Sequence, residues 1–251
     1  MHLNNSIDCA CVIHGDVYSW EYVEKLHHML QANLTSPVRL HVFTEPTRRV
    51  PKTYVRHDLV DWPGIHGRRR AWWYKMQMFD PVHELNQVLY LDLDVIITGN
   101  IDWITHLDSA YFWTIRDFRK LWRPNWQGIN SSVMYWNTSA FAKIWKRFSK
   151  NTLDSVVRQH AGDQDFLTAN IDARSLKFFD DAAVQSWRWQ VSDGGIDPYT
   201  RQPLRLGAGA VMTPGTSIVV FHGTPKPHEI TDPTMLRYWN VDINTTAEKR
   251  T

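Results

Sequence analysis

The chain has 251 residues, 43% of them hydrophobic and 22% charged, with a formal net charge of +2. That length suits one large core better than two independent domains, and the composition is that of a globular chain, which excludes disordered and collagen-like classes. The near-balanced charge argues against a polyanion partner spread over the whole surface.

"IDCACVI", Ile7 to Ile13, is a short apolar run ending at "HGD", and it reads as a buried strand followed by a turn. The preceding residues lack the basic and apolar regions of a secretion signal. Cys9 and Cys11, the only cysteines, fall on one face of this strand. With no other soft ligand nearby they read as buried, reduced thiols, which together with the missing signal gives a cytoplasmic expectation. "YSWEYVEKLHHMLQANL" follows, with Trp20, Val23, Leu26, Leu30 and Leu34 on one helical face and Ser19 as the expected N-cap. "VRLHVFT", Val38 to Thr44, reads as a second strand, so the first three elements form a βαβ unit with parallel strands.

"GRRRAWWYKMQMFDP", Gly67 to Pro81, is expected to be a helix stopped by Pro81, with Trp72, Lys75, Met76 and Phe79 on one face. "NQVLYLDLD", "AYFWTI" (Ala110 to Ile115) and "SSVMYWN" (Ser132 to Asn137) are the next strands. "TSAFAKIWKRFSK" is a helix capped by Thr138 or Ser139, "DQDFLTANI" is helical, and "SLKFF" and "SIVVFH" are short strands. No apolar stretch reaches the ~20 residues of a membrane span. The pattern is α/β, a single domain over 1–251 around a mainly parallel sheet flanked by helices. The "DLD" segment closes the first half of this domain, 1–100, and leaves 101–251 as the second.

Asp92 and Asp94 end an apolar strand, and i, i+2 side chains share a direction. Ligands of open α/β sheets bind outside the carboxyl ends of strands. Two carboxylates there repel unless a cation lies between them, so the pair is either a hard-metal site or a solvated strand end. A second strand end, "VVFHGTPKP", carries His222, Gly223 and Lys226; the lysine is a point charge able to reach a phosphate. Lys75 lies on the helix before the D-x-D strand, downstream of Arg68, Arg69 and Arg70. "GDQDFL" and "GINSSVMYWN" place Asn130, Asp163, Gln164 and Asp165 where they could hydrogen-bond a polyhydroxylated ligand. Thirteen tryptophans are many for this length; each is either core or a flat face for a sugar or base.

"VLYLDLDVIITGNID", "GINSSVMYWN", "GDQDFL" and "FHGTPKP", in this order, resemble nucleotide-sugar glycosyltransferases of the GT-A fold, a Rossmann-like architecture. The likeness is to the retaining family-eight type, which includes glycogenin and galactosyltransferases of lipopolysaccharide synthesis. It runs from about Ile7 to His228. The resemblance implies a Mn²⁺ ion, with Mg²⁺ as the alternative, held by Asp92, Asp94 and His222. It implies a donor site in which Lys75, Gly223 and Lys226 meet the diphosphate and His14, Asp16 and Tyr18 surround the nucleobase. Asn130 and Asp163 would hold sugar hydroxyls, and Gln164 would lie near the anomeric carbon with Asp163 and Asp165 as candidate nucleophiles. The implied partner is a nucleotide-sugar, UDP-sugar first, used with retention. The acceptor stays open: a glycan, a lipid-linked glycan, a protein or a modified nucleic acid.

Two other classes fit parts of the sequence. "LYLDLDVIIT" is also similar to the first motif of haloacid-dehalogenase phosphatases, with Asp180 and Asp181 as a later metal pair. That motif normally opens its domain, whereas here a βαβ unit precedes it and Ile96 stands where Thr or Val is expected. "GRRRAWWYK" and the tryptophans could instead form a nucleic-acid surface without transferase activity.

Overall fold

The structure is a computed structural model and describes residues 6–62, 65 and 71–240. A seven-stranded sheet forms its centre, in the order β3-β2-β1-β4-β7-β6-β8. These strands are β1 (Ile7–Ile13), β2 (Val38–Thr44), β3 (Val55–Asp58), β4 (Gln87–Leu91), β6 (Phe112–Arg116), β7 (Ile129–Asn137) and β8 (Leu176–Phe178). β7 runs antiparallel to both of its neighbours and every other pairing is parallel. A smaller sheet, β5-β10-β9, joins β5 (Val95–Ile97), β10 (Ile218–Val220) and β9 (Val184–Ser186). The helices are α1 (Glu21–Asn33), α2 (Asp102–Thr105), α3 (Ala142–Ser149), α4 (Leu153–Gln159), α5 (Asp163–Asn170) and α6 (Pro233–Trp239).

The strand period of two sends alternate residues into two cores. Cys9, Cys11, Ile13, Leu89 and Leu91 pack with Val23, Leu26 and Leu30 of α1 on one face. Ala10, Val88 and Tyr90 pack on the other with Trp73, Met76, Ile144 and Phe166. Both cysteines are fully buried and free, and burial pushes both thiols far up from the ordinary range.

The expected βαβ unit forms with its β1 and β2 limits unchanged. Three expectations of detail are corrected. Ser19 does not cap α1 through its side chain; its carbonyl instead accepts from Tyr22 N. Thr138 and Ser139 do not cap α3, because Asn137 Oδ1 takes the Ser139 and Ala140 amides instead. The described part of the 67–81 segment is a 3₁₀ helix, Ala71–Phe79, rather than an α-helix. A three-residue repeat aligns Trp72 with Lys75 and separates them from Met76 and Phe79, which enter the core. Arg68, Arg69 and Arg70 lie outside the described residues.

Candidate active site

β1 and β4 lie side by side and parallel, so the segments leaving their carboxyl ends emerge together. After Asp94 the chain becomes β5, which pairs with β10, and Phe221 N donates to Asp94 O at 2.9 Å. That bond seats His222 and Gly223 beside the D-x-D turn. Gly223 has φ +82°, a turn that favours a residue without Cβ. The result is a cleft of about 1120 Å³. His14, Tyr18, Lys75, Asp92, Asp94, Asn130, Asp163, Gln164, Asp165, His222, Gly223 and Lys226 all line it. Asp16 does not: the turn at Gly15, φ +66°, leaves its side chain exposed and outside the lining.

The cleft floor is a network of charges that answer one another. Lys75 Nζ lies 2.8 Å from Asp92 Oδ1, 3.6 Å from Asp163 Oδ2 and 3.2 Å from Ser131 Oγ. Burial depresses the Lys75 ammonium, yet the charges of Asp163 and Asp92 outweigh it and hold its pKa above the usual lysine value. Tyr90 OH donates to Asp92 Oδ1 at 2.5 Å. Asp94 accepts from Lys226 Nζ, and from Tyr18 OH at 2.8 Å. Burial, then the nearby Asp92 charge, raises the Asp94 pKa, while Lys226 and Tyr18 pull it back. Each aspartate of the D-x-D pair therefore has one amine and one phenol as partners.

A bulge turns Asn130 to Ser132 into this floor. Ile115 opposes Asn130, but Thr114 opposes Met134, so Ser131 to Val133 leave the ladder. Bulges commonly re-aim side chains beside active sites. Here Ser131 Oγ donates to Asp163 Oδ2 at 2.5 Å, Ser132 O accepts from Asp92 N at 2.8 Å, and Asn130 Oδ1 accepts from Ser132 N at 3.0 Å. Asp163 is buried at the start of α5; burial raises its pKa and Lys75 opposes that rise. Just before it, Gly162 allows Trp72 to lie close: a Cβ there would sit 3.1 Å from Trp72 Nε1.

Asp92 and Asp94 offer the oxygen ligands that a hard divalent ion takes, but each is already paired with a lysine ammonium, which a cation would have to displace. The third expected ligand is engaged elsewhere. His222 Nε2 lies 2.7 Å from Ser186 Oγ, and its ring stacks on Phe118 at 5.1 Å. Burial holds the imidazole down at about 4, so it is neutral near pH 7 and keeps a lone pair for a ligand. Among the described residues no three His, Cys, Asp or Glu side chains are gathered closely enough to hold a metal.

Val12, Val17, Trp72, Tyr90, Arg119, Ser132, His228 and Glu229 also line the cleft, unforeseen from the sequence. Two of them carried a usable signal: Tyr90 has the strand parity of Asp92, and Trp72 lies one 3₁₀ turn before Lys75. The ring of the cleft-lining His14 stacks on the buried Tyr74 at 3.9 Å and Tyr74 on Trp62 at 5.5 Å. Asp180 and Asp181 lie outside the cleft lining; Asp180 takes the Ala182 amide at 2.8 Å and Asp181 pairs with Lys120.

No family model matches this sequence, and neither does any curated protein. Solved structures do match. The glycosyltransferase GlyE of Streptococcus pneumoniae TIGR4 superposes with a TM-score of 0.70 at 16% identity, over 98% of this chain and 63% of that one. LgtC, solved as an active-site mutant with a glutamine replaced by glutamate, gives 0.62 at 13% identity, over 97% and 96% of the two chains. The bifunctional glycosyltransferase WbbM gives 0.60 at 7% identity, and this chain covers 52% of it. The fold is therefore that of the GT-A glycosyltransferases. Within that class the likeness is to family eight, through the galactosyltransferase LgtC. At these identities the likeness fixes the fold, and the substrates must be argued from the site.

Proposed function

We propose that this chain is a glycosyltransferase that takes a sugar from a nucleotide-sugar, UDP-sugar first, with Mn²⁺ as its ion. The observation that carries the proposal is the paired arrangement of Asp92–Lys75 and Asp94–Lys226 at the carboxyl ends of adjacent parallel strands. A buried and a half-buried carboxylate, each with an amine beside it, would suit a cation and a diphosphate together. Asp92 and Asp94 would hold the ion, with His222 as the further ligand if it left Ser186, and the ion would supply Lewis-acid stabilisation of the departing diphosphate.

The chain's own groups do the rest. Lys226, displaced from Asp94, moves its charge to the diphosphate, where negative charge develops as the bond to the sugar breaks. Gly223 gives the backbone close approach to the same group. The aromatic side chains of His14 and Tyr18 receive the base. Asn130 and Asp163 orient sugar hydroxyls. Gln164 is the glutamine of the cleft lining, and a glutamine is also what was exchanged in the active-site mutant of LgtC. In the balanced step the anomeric carbon–oxygen bond to the diphosphate breaks, with the electron pair leaving on the nucleoside diphosphate. An acceptor hydroxyl oxygen bonds to the anomeric carbon, and its proton passes to the departing phosphate. Attack on the same face gives retention, with Asp165 and Asp163 as the carboxylates able to steady the positive sugar ring.

The test is a thermal-shift panel of sugar nucleotides with and without Mn²⁺. Binding to the folded state raises Tm by mass action. UDP-sugars should raise it with Mn²⁺ and much less without. A flat response across all sugar nucleotides in both conditions refutes the proposal.

A further inference from the structure

Eleven of the thirteen tryptophans are core residues or pack against a core, which leaves Trp122 and Trp126. Trp122 packs against the core-edge Trp189, Trp126 lies four residues further along the same segment, and arginines lie over all three. Trp122 and Trp189 are 4.4 Å apart, ring centre to ring centre. The Arg201 guanidinium lies over both, at 5.4 Å and 5.0 Å, and Arg188 lies 5.2 Å over Trp189. Arg119 and Arg123 lie over Trp126 at 4.1 Å and 6.0 Å. Arg119 is paired with Asp117, but Arg123, Arg188 and Arg201 have no carboxylate partner among the described residues.

Arg201 holds its place in a left-handed backbone conformation, φ +62°, which is uncommon for a side chain of its size. It belongs to a chain excursion closed by the bridges Ser192↔Ala210 and Ile196↔Pro203, which folds the arginine onto the indoles. The platform is joined to the cleft at two points. Arg119 lines the cleft itself. Ser186 Oγ accepts from Trp189 N at 3.1 Å and lies 2.7 Å from His222 Nε2.

We infer that this platform is the acceptor subsite and that the acceptor is an anionic glycan, one bearing carboxylate or phosphate next to a sugar face. The inference rests on the glycosyltransferase reading and extends it to the acceptor's chemical class. Flat indoles take the C–H face of a sugar. Guanidinium groups stacked on them are held in place with their edges free to donate to carboxylate or phosphate oxygens. A neutral acceptor would leave three arginines unanswered. A single-stranded nucleic acid also suits arginine and tryptophan, but it needs a groove that tracks several nucleotides. This patch spans three indoles and adjoins the cleft through Arg119.

The experiment uses the whole protein and matched ligands: tetragalacturonate against its neutral methyl ester, and maltose phosphate against maltose. Affinity is read by tryptophan fluorescence at low and high salt, and UDP with Mn²⁺ is titrated by thermal shift in parallel. The charged member of one or both pairs should bind on the order of tenfold tighter at low salt, with the gap closing at high salt. The pair that shows the gap identifies carboxylate or phosphate as the anion. R123A/R201A should abolish the gap while leaving the UDP–Mn²⁺ shift intact. W122A should weaken charged and neutral members alike, because stacking ignores charge. Equal binding within both pairs, alongside an intact UDP–Mn²⁺ shift, overturns the inference and spares the donor reading. Oligothymidylate binding tighter than any sugar, and lost in R123A/R201A, overturns it in favour of a nucleic-acid surface. Loss of the UDP–Mn²⁺ shift in the unmutated protein removes the donor reading instead.

Discussion

The cleft floor and the platform beside it are both rich in charge, and they treat it in opposite ways. On the floor, Lys75, Asp92, Asp94, Asp163 and Lys226 answer one another, with Tyr18, Tyr90 and Ser131 supplying further hydrogen bonds. On the platform, Arg123, Arg188 and Arg201 rest on indoles without a carboxylate among the described residues. The contrast follows from burial. Lys75 and Asp163 lie out of water, where an unpaired charge is costly, so the sequence has to supply partners. The platform arginines keep contact with solvent and remain available to a ligand. Floor mutations should therefore hit function and stability together, and platform mutations should alter recognition with little effect on folding.

The largest effect is expected at Asp94. D94A removes one carboxylate of the metal pair and should cut donor turnover on the order of 100-fold or more, as loss of Lewis-acid stabilisation implies. The fold should survive, because the Lys226 side chain is 22% exposed and can be solvated. Turnover of the UDP-sugar with Mn²⁺, followed beside the circular-dichroism spectrum, checks both halves. Full activity in D94A would remove the Asp94 role.

Lys75 tests the floor as a structural unit. K75M leaves the buried Asp163 and the half-buried Asp92 without their shared cation and should destabilise by about 3–5 kcal/mol. The denaturant midpoint should fall without a change in slope. A shift below about 0.5 kcal/mol, the range of ordinary surface substitutions, would show that the floor charges are less interdependent than their distances imply.

Acid should act on the same side of the contrast. Burial lowers His222 from 6.5 to about 4, and it lowers His57, which touches His41 and His83 at the sheet edge, to about 4 as well. Between pH 6.5 and 4 the unfolded chain binds protons at these two rings that the folded chain refuses. The stability these rings contribute is therefore present above pH 6.5 and lost as pH falls toward 4, while the raised carboxyls of Asp94 and Asp163 oppose part of that loss. Asp8 adds nothing there. Burial raises its pKa, but His41 and Arg39 outweigh that and lower it to about 2, so its contribution is lost only below the ordinary carboxylate range. Tm measured from pH 7 to 4 should fall, and H222N should flatten part of that fall, leaving the share of His57 and of the similarly lowered His27 and His83. An unchanged slope would mean that His222 is hydrated and titrates normally.

How much of this was legible in the sequence depended on whether the signal was local. β1 and β4 were readable as short apolar runs of strands buried on both faces, and β2 by the alternation of its apolar residues with Arg39 and His41. β3, "VRHD", was not, since a polar edge strand has no such run, and neither were β5 and β9, at three residues each. The 3₁₀ segment misled because Trp73 to Phe79 are all buried, which erases the polar face that sets a helical period. The D-x-D pair, "FHGTPKP" and "GDQDFL" were each visible as strand-end or helix-start residues. Their pairing was not, because Lys226 reaches Asp94 only through the β5–β10 contact and Ser131 reaches Asp163 only through a bulge. The platform left no trace at all, since Trp122, Trp189 and Arg201 come from loops and one turn of π-helix with no shared periodicity.

The smallest effect, and the sharpest test of the contrast, is expected at Arg201. Its cation–π contacts with two exposed-side indoles favour the native state by about 0.5–1 kcal/mol each. Its left-handed backbone opposes that by roughly 1–2 kcal/mol. R201A loses the contacts and keeps most of the backbone cost, so it should be slightly less stable than the parent. R201G loses the same contacts and removes that cost, so it should regain the difference or exceed the parent by a few tenths of a kcal/mol. Chemical denaturation of the three proteins side by side resolves the order. If R201G is as stable as the parent and no longer distinguishes tetragalacturonate from its ester, then Arg201 is held in an unfavourable conformation for the sake of a ligand. If R201A and R201G are both clearly less stable than the parent, the arginine is a structural clasp on the 192–210 excursion, and the platform resembles the floor after all.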